Sequence, residues 1–376
     1  MKRTAILLLI YFFATGIFAQ TSAELLAAGI EKKDDGDCIR AIVDYKAALA
    51  KDASNGEAAY EAGWCLNDLE RYDEAITFLE QSNMLQPGYS KTQFELGYAY
   101  KNLDNSTQAL AHYKNALEIK PDYYDVLEEI ASIYYDLDDY ENALDYYEQY
   151  IEQAAFPDDV AFYYAGWCAN ELEEFEDAID YFNRYDPEDV TEIAKKFSEI
   201  GYAYYKLDRA SESIVAYLSA LTNLSDYGPA LRGLGDTYYE LSEDYDQAIY
   251  YYEKAVKYDI EKSEYLYYDL GWLYNDAERY DDAVAILAKA IQNTPDDADV
   301  YVEHGYANYM LDKNDDALWA LKKAVELDAE SNLGYYYLGL NYLDMDRKND
   351  AIEAYNKLKP LNNDRAEKLL QEINEY

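Results

Sequence analysis

The apolar positions of this chain recur at helical spacing, and the pattern they form repeats itself. Segments around Gly63, Gly97, Gly166, Gly201, Gly271, Gly305 and Gly339 superimpose at a period near 34 residues. With that glycine as the eighth position, ten repeats begin at Ser22, Gly56, Ser90, Tyr124, Asp159, Ala194, Gly228, Glu264, Ala298 and Asn332. Twelve residues beyond the glycine position stands a small residue: Ala41, Ala75, Ala109, Ala143, Ala178, Ser213, Ala283, Ala317 and Ala351, with Ala248 displaced by one. An aromatic or a leucine follows four residues later.

The small residues have a physical purpose. A glycine or alanine on one helix and an alanine on the next let two antiparallel helices approach closely, while large apolar residues fill the flanking space. Each repeat therefore reads as a helical hairpin. Short polar turns such as Leu69-Glu70-Arg71-Tyr72 and Leu137-Asp138-Asp139-Tyr140 separate its helices, and Pro87, Pro121 and Pro295 end second helices.

This pattern resembles the tetratricopeptide repeat family from Ser22 to about Asp364. The resemblance implies an all-α, right-handed superhelical solenoid with a concave groove. Single repeats depart from the pattern: Cys38 stands where an aromatic is usual, Ala131 replaces the glycine, and Ser213 replaces the alanine. After Pro360, the amphipathic stretch from Arg365 to Ile373 predicts a C-terminal helix covering the last repeat's apolar face, so that residues 22–364 form the array and 365–376 its cap.

A longer period lies above the short one. The strings GWCLNDLERYDEAI, GWCANELEEFEDAI and GWLYNDAERYDDAV fall in the second, fifth and eighth repeats, and Gly97-Tyr98-Ala99-Tyr100, Gly201-Tyr202-Ala203-Tyr204 and Gly305-Tyr306-Ala307-Asn308 in the third, sixth and ninth. A unit of three hairpins has been triplicated, giving blocks 56–158, 159–263 and 264–364.

In the family this chain resembles, positions 2, 5, 9, 12 and 13 of the first helix line the groove, and helical geometry puts the last four on one face. Carried onto this sequence, positions 5, 9, 12 and 13 give Tyr60, Trp64, Asn67 and Asp68, then Tyr163, Trp167, Asn170 and Glu171, then Tyr268, Trp272, Asn275 and Asp276. Two amphipathic aromatics, an amide and a carboxylate suit an extended peptide or a run of sugar rings. The competing reading is that the tryptophans pack against the neighbouring hairpin and that duplication copied the set without a binding role. Phe94, Tyr98, Tyr135, Tyr202, Tyr205, Tyr239, Tyr306 and Tyr309 add aromatics at equivalent positions. A chaperone-type carboxylate clamp is not indicated, because no ninth position holds asparagine.

Charge narrows the partners. With 76 acidic against 32 basic residues the net charge is -44, which repels nucleic acid and anionic lipid and would draw in a basic partner. Met1-Lys2-Arg3, the apolar run Ala5–Phe18 and Ala19 have the layout of a signal peptide over residues 1–19, with an apolar run too short to span a bilayer. The expectation is export, to the periplasm or beyond, with no transmembrane anchor after cleavage. Three cysteines, Cys38, Cys65 and Cys168, make no disulfide framework; one pair with a spare and three buried thiols both remain open.

Catalytic chemistry is not indicated. His112 and His304 are the only histidines, too few with three cysteines for a nucleophile–base arrangement or a zinc site. Acid pairs such as Asp138-Asp139 sit in turns, and Asp344–Asp350 lacks the glycine and terminal glutamate of a calcium loop. The chain thus reads as a non-enzymatic scaffold without cofactor or metal, holding a protein or peptide partner, with a carbohydrate-binding module as the alternative.

Overall fold

The structure, a computed structural model, describes residues 20–258 and 263–376. The export-signal reading of residues 1–19 lies outside the described residues. No described helix is long and apolar enough to cross a membrane. The chain divides into two compact units, the first ending at Glu174 and the second covering Phe175–Tyr376; the division falls inside the fifth repeat.

The first unit stacks four hairpins: α1 (Ser22–Asp34) with α2 (Cys38–Lys51), α3 (Gly56–Asp68) with α4 (Tyr72–Leu85), α5 (Ser90–Asn102) with α6 (Ser106–Ile119), and α7 (Tyr124–Asp136) with α8 (Tyr140–Gln153). It closes with α9 (Asp159–Glu171). Each helix packs on its sequence neighbour, and α3 also touches α1 and α5, so first helices line up beside one another. The core is built at the small positions: Ala41, Ala75, Ala109 and Ala143 are all fully buried. At Gly63 a Cβ would lie 2.5 Å from Leu79 Cγ, so only glycine permits this approach of α3 to α4.

The second unit begins with α10 (Phe175–Arg184), followed by α11 (Val190–Lys206) with α12 (Ala210–Asn223), α13 (Gly228–Asp236) with α14 (Tyr245–Tyr258), α15 (Ser263–Asp276) with α16 (Tyr280–Asn293), α17 (Ala298–Met310) with α18 (Asn314–Leu327), and α19 (Asn332–Asp344) with α20 (Lys348–Leu358). The last helix, α21 (Asn363–Glu375), buries Ala366, Leu369 and Ile373 against Leu338, Tyr342 and Leu343. It starts at Asn363 because Asn362 caps it, its side chain accepting from Arg365 N. Helix α11 begins at Val190, ahead of Ala194, where Asp189 accepts from the amides of Thr191 and Glu192.

Two irregularities in the sequence have structural answers. The one-residue displacement of Ala248 is absorbed by a single π-helical turn, Thr237–Leu241, at the end of α13, the usual way a helix takes up one extra residue. Ser213, in place of alanine, donates to the carbonyl of Gly201 at 2.9 Å and lies 3.0 Å from the hydroxyl of Thr237, which itself donates to Gly233. A buried hydroxyl is thereby fully partnered.

One backbone feature is common to the hairpin turns. Glu70, Asp104, Asp138, Glu173, Asp208, Glu243, Glu278, Asp312 and Asp346 all have φ between 52 and 62°, and Gly36 has 78°. Each follows the first helix of its hairpin, where a left-handed residue ends the helix. Around Glu70, the amide of Arg71 donates to Leu66 O at 2.8 Å and that of Glu70 to Asn67 O at 2.9 Å.

The first two hairpins are joined covalently. Cys38 at the start of α2 and Cys65 in α3 form a disulfide, whereas Cys168 is a buried free thiol. This resolves the open cysteine reading in favour of one pair with a spare.

Candidate functional site

The three triplicated tryptophans occupy equivalent places. Trp64 on α3, Trp167 on α9 and Trp272 on α15 are each partly buried. Lys33 Nζ lies 5.1 Å from the Trp64 ring centroid, the Tyr135 ring meets Trp167 edge-on at 5.2 Å, and Tyr239 meets Trp272 likewise at 5.7 Å. Lys33, Tyr135 and Tyr239 all stand at the twelfth position of the preceding repeat. Each tryptophan is therefore packed on one side by the hairpin before it, and Trp64 and Trp272 also face open clefts.

The asparagines do a second job. Asn67 donates its amide to the main-chain oxygen of Glu95 at 3.0 Å and to its carboxylate at 2.8 Å. Asn275 makes the same two bonds to Glu303, at 3.1 and 2.8 Å. Both asparagines are almost fully buried, and in each the amide oxygen has no hydrogen-bond partner among the described residues. Burial pushes the Glu95 carboxyl up to about 7, against the opposing pull of the Asn67 bond, and raises that of Glu303 for the same first cause.

These residues form two clefts of matching make-up, one in each unit. The first, about 210 Å³, is lined by Trp64, Asn67, Asp68, Phe94, Glu95, Tyr98 and Glu129. The second, about 200 Å³, is lined by Trp272, Asn275, Asp276, Glu303, Tyr306, Leu333 and Tyr337. Tyr98 is held edge-on by Tyr72 at 6.3 Å, and Tyr306 by Tyr280 at 6.0 Å. The first-helix faces of adjacent repeats thus bring together an aromatic wall, an amide floor and a carboxylate rim.

The remaining set members are dispersed. Tyr60 departs from its expected place on the groove face: it is buried in the core of the second hairpin, edge-on to Tyr89 at 5.1 Å, because the fifth position of α3 faces the next hairpin here. Tyr163 is partly buried and meets Tyr164 at 5.6 Å. Tyr268 is partly buried and, with Tyr239, Asp269 and Trp272, lines a smaller pocket of about 150 Å³. Asp68, Glu171 and Asp276 are exposed, and Asn170 is buried.

The histidines are packing groups. His112 stacks on Tyr100 and hydrogen-bonds Gln93 at 2.8 Å, and His304 is buried against Trp319 and Asn308. Desolvation lowers the pKa of both. Neither lines either of the two clefts.

Glu95 and Glu303 escaped the sequence reading. The signal was present as a glutamate two residues ahead of the glycine in the third, sixth and ninth repeats: Glu95, Glu199 and Glu303.

Tetratricopeptide repeat profiles match residues 33–93 and 241–301, residues 94–160, and residues 160–185 and 334–359. No curated protein matches the sequence. Among solved structures the chain is similar to YrrB, a TPR protein with an unusual peptide-binding site, at 16% identity and a TM-score of 0.46, over 50% of this chain and 95% of that one. It is similar to MamA (41-end) from Desulfovibrio magneticus RS-1 at 21% identity and a TM-score of 0.42, over 46% and 97% of the two chains. A tetratricopeptide repeat protein from Parabacteroides merdae ATCC 43184 gives 17% identity and a TM-score of 0.47, over 67% and 98%. With hairpins of the expected kind throughout both units and family profiles across most of its length, the chain belongs to the tetratricopeptide repeat family.

Proposed function

We propose that this protein is a non-enzymatic, exported scaffold that holds an extended polypeptide against the first-helix faces of its repeats. The observation that carries the reading is the recurrence of one cleft in two units, with Trp64, Asn67, Asp68, Glu95 and Tyr98 in the first matched by Trp272, Asn275, Asp276, Glu303 and Tyr306 in the second. Half-exposed aromatics beside a fixed amide are what an interface uses for contact area and orientation. Export is supported by the signal-like residues 1–19 and by the Cys38–Cys65 disulfide, since such bonds persist in oxidising compartments.

The test is site-specific photo-crosslinking. A photoreactive residue replaces Tyr98 or Tyr306 in the clefts, or Val43, which is 64% exposed on α2, as control. Polypeptide adducts from the two cleft positions and none from Val43 are expected after exposure to envelope extract. Adducts only to oligosaccharide would move the reading to the carbohydrate-binding alternative; adducts at Val43 alone would remove the clefts from it.

A further inference from the structure

Resting on the polypeptide-binding reading, we propose that the two clefts are sockets for arginine side chains carried by the bound segment. The walls are aromatic: Trp64 and Tyr98 in one cleft, Trp272 and Tyr306 in the other. Ring faces attract cations, and a planar guanidinium stacks on them better than an ammonium does.

The floor supplies the second, independent observation. Asn67 is 3% exposed and Asn275 is 4% exposed, and the amide oxygen of each has no hydrogen-bond partner among the described residues. A buried acceptor left unsatisfied is costly, and each cleft also presents carboxylates, Asp68, Glu95 and Glu129 in the first and Asp276 and Glu303 in the second. Arginine is the complementary side chain, with five N–H donors in a rigid fork and no acceptor. Anionic ligands would meet Asp68 and Glu95, or Asp276 and Glu303, at close range.

Charge points the same way. No basic side chain lines either cleft, although Lys101 engages Glu129 at the side of the first, at 2.8 Å. The chain already holds one cation of its own in this manner: Lys33 Nζ sits 5.1 Å over the Trp64 ring while pairing with Glu61 at 2.6 Å. An arginine arriving in the cleft would repeat that arrangement from the open side of the same ring. The net charge of -44 steers such a segment in.

The experiment measures binding of the full chain to three fluorescent Gly/Ser peptides of equal length, carrying two arginines, two lysines or two citrullines. Citrulline keeps the shape of arginine and removes its charge. The arginine peptide is expected to bind about tenfold more tightly than the citrulline peptide and more tightly than the lysine peptide. The double variant Asp68→Asn/Asp276→Asn, whose positions are exposed, should keep its helicity and bind the arginine peptide several-fold more weakly.

Equal binding of arginine and citrulline peptides overturns the proposal and leaves the groove reading standing, as does equal binding of arginine and lysine peptides. Arginine binding that the double variant does not weaken and that high salt abolishes is diffuse attraction to an acidic surface, and also overturns it. Silence of all three peptides overturns it, whether or not the crosslinks at Tyr98 and Tyr306 identify a polypeptide; if those crosslinks fail too, the groove reading falls with it.

Discussion

The side-chain amide of Asn67 reaches across from α3 to hold both the main-chain oxygen and the carboxylate of Glu95 on α5. This bracket ties two hairpins together at the floor of a cleft, and Asn275 repeats it on Glu303. Its weak point is the buried carboxylate.

Glu95 has a folded-state pKa raised to about 7 from 4.5, chiefly by desolvation, with Glu61 adding to the rise and Asn67 and Lys91 opposing it. The native state therefore holds this proton more firmly than the unfolded chain. Its contribution to stability is fully present below pH 4.5 and is lost as pH rises through about 7. The loss is on the order of 3 kcal/mol at most, at 1.36 kcal/mol per unit. Glu95→Gln should be more stable than the parent at pH 8 and no more stable at pH 4, as read from denaturant unfolding followed by circular dichroism. An unchanged difference between the two pH values would mean that Glu95 ionises freely.

Gly63→Ala places a Cβ 2.5 Å from Leu79 Cγ, whereas a Cβ at Gly88 meets nothing within 4 Å. Overpacking of this kind costs about 1–3 kcal/mol. Thermal unfolding should show a clear loss for Gly63→Ala and less than about 0.5 kcal/mol for Gly88→Ala. Similar losses at both positions would contradict the packing seen between α3 and α4.

Glu70 has φ of 58°, a conformation that costs a side-chain-bearing residue about 1–2 kcal/mol and glycine almost nothing. Against the extra unfolded-state freedom of glycine, Glu70→Gly should be neutral to slightly stabilising. Glu70→Val, β-branched and ill-suited to this region, should lower stability by more than about 1 kcal/mol. Equal tolerance of Gly and Val would show that the turn relaxes out of the left-handed conformation.

The Cys38–Cys65 bridge has a sequence separation of 27, worth about 3.5 kcal/mol in the chain-entropy account. Cys38→Ala/Cys65→Ala should speed hydrogen exchange in α1 to α3 and leave α5 to α8 little changed, because repeats are stabilised by their neighbours. Cys168, its thiol pushed up to about 12 by burial, should resist alkylation until the chain unfolds. Labelling of all three cysteines in the native protein would refute the pairing.

Much of this architecture was readable because a period of 34 leaves a mark at every turn of the chain: the glycine and alanine positions declare close helix contacts wherever they recur. The π-helical turn was visible only as the displacement of Ala248, since nothing in Thr237–Leu241 announces its hydrogen bonding. The left-handed turn residues were invisible, because the expected signal is glycine and nine of the ten carry a carboxylate. Glu95 was missed for a related reason: glutamate on an amphipathic helix normally marks the solvent face. The tryptophans divided the two readings between them, packed by Lys33, Tyr135 or Tyr239 on one side, with Trp64 and Trp272 open to a cleft on the other. No spacing rule could have separated those sides, because the covering residue belongs to a different repeat.

On the polypeptide-binding function proposed above, the triplicated block makes valency a matter of copy number. Each block carries its own Trp-Asn-acid set, so on that proposal a protein of this kind would gain or lose a binding position by adding or deleting three hairpins, without any new side-chain chemistry. A weak individual cleft then suffices, because a flexible partner engaged at two places is held by effective concentration, with gains of about 10²–10⁴ over a single contact where its length spans both. Tuning the strength of attachment becomes a question of array length.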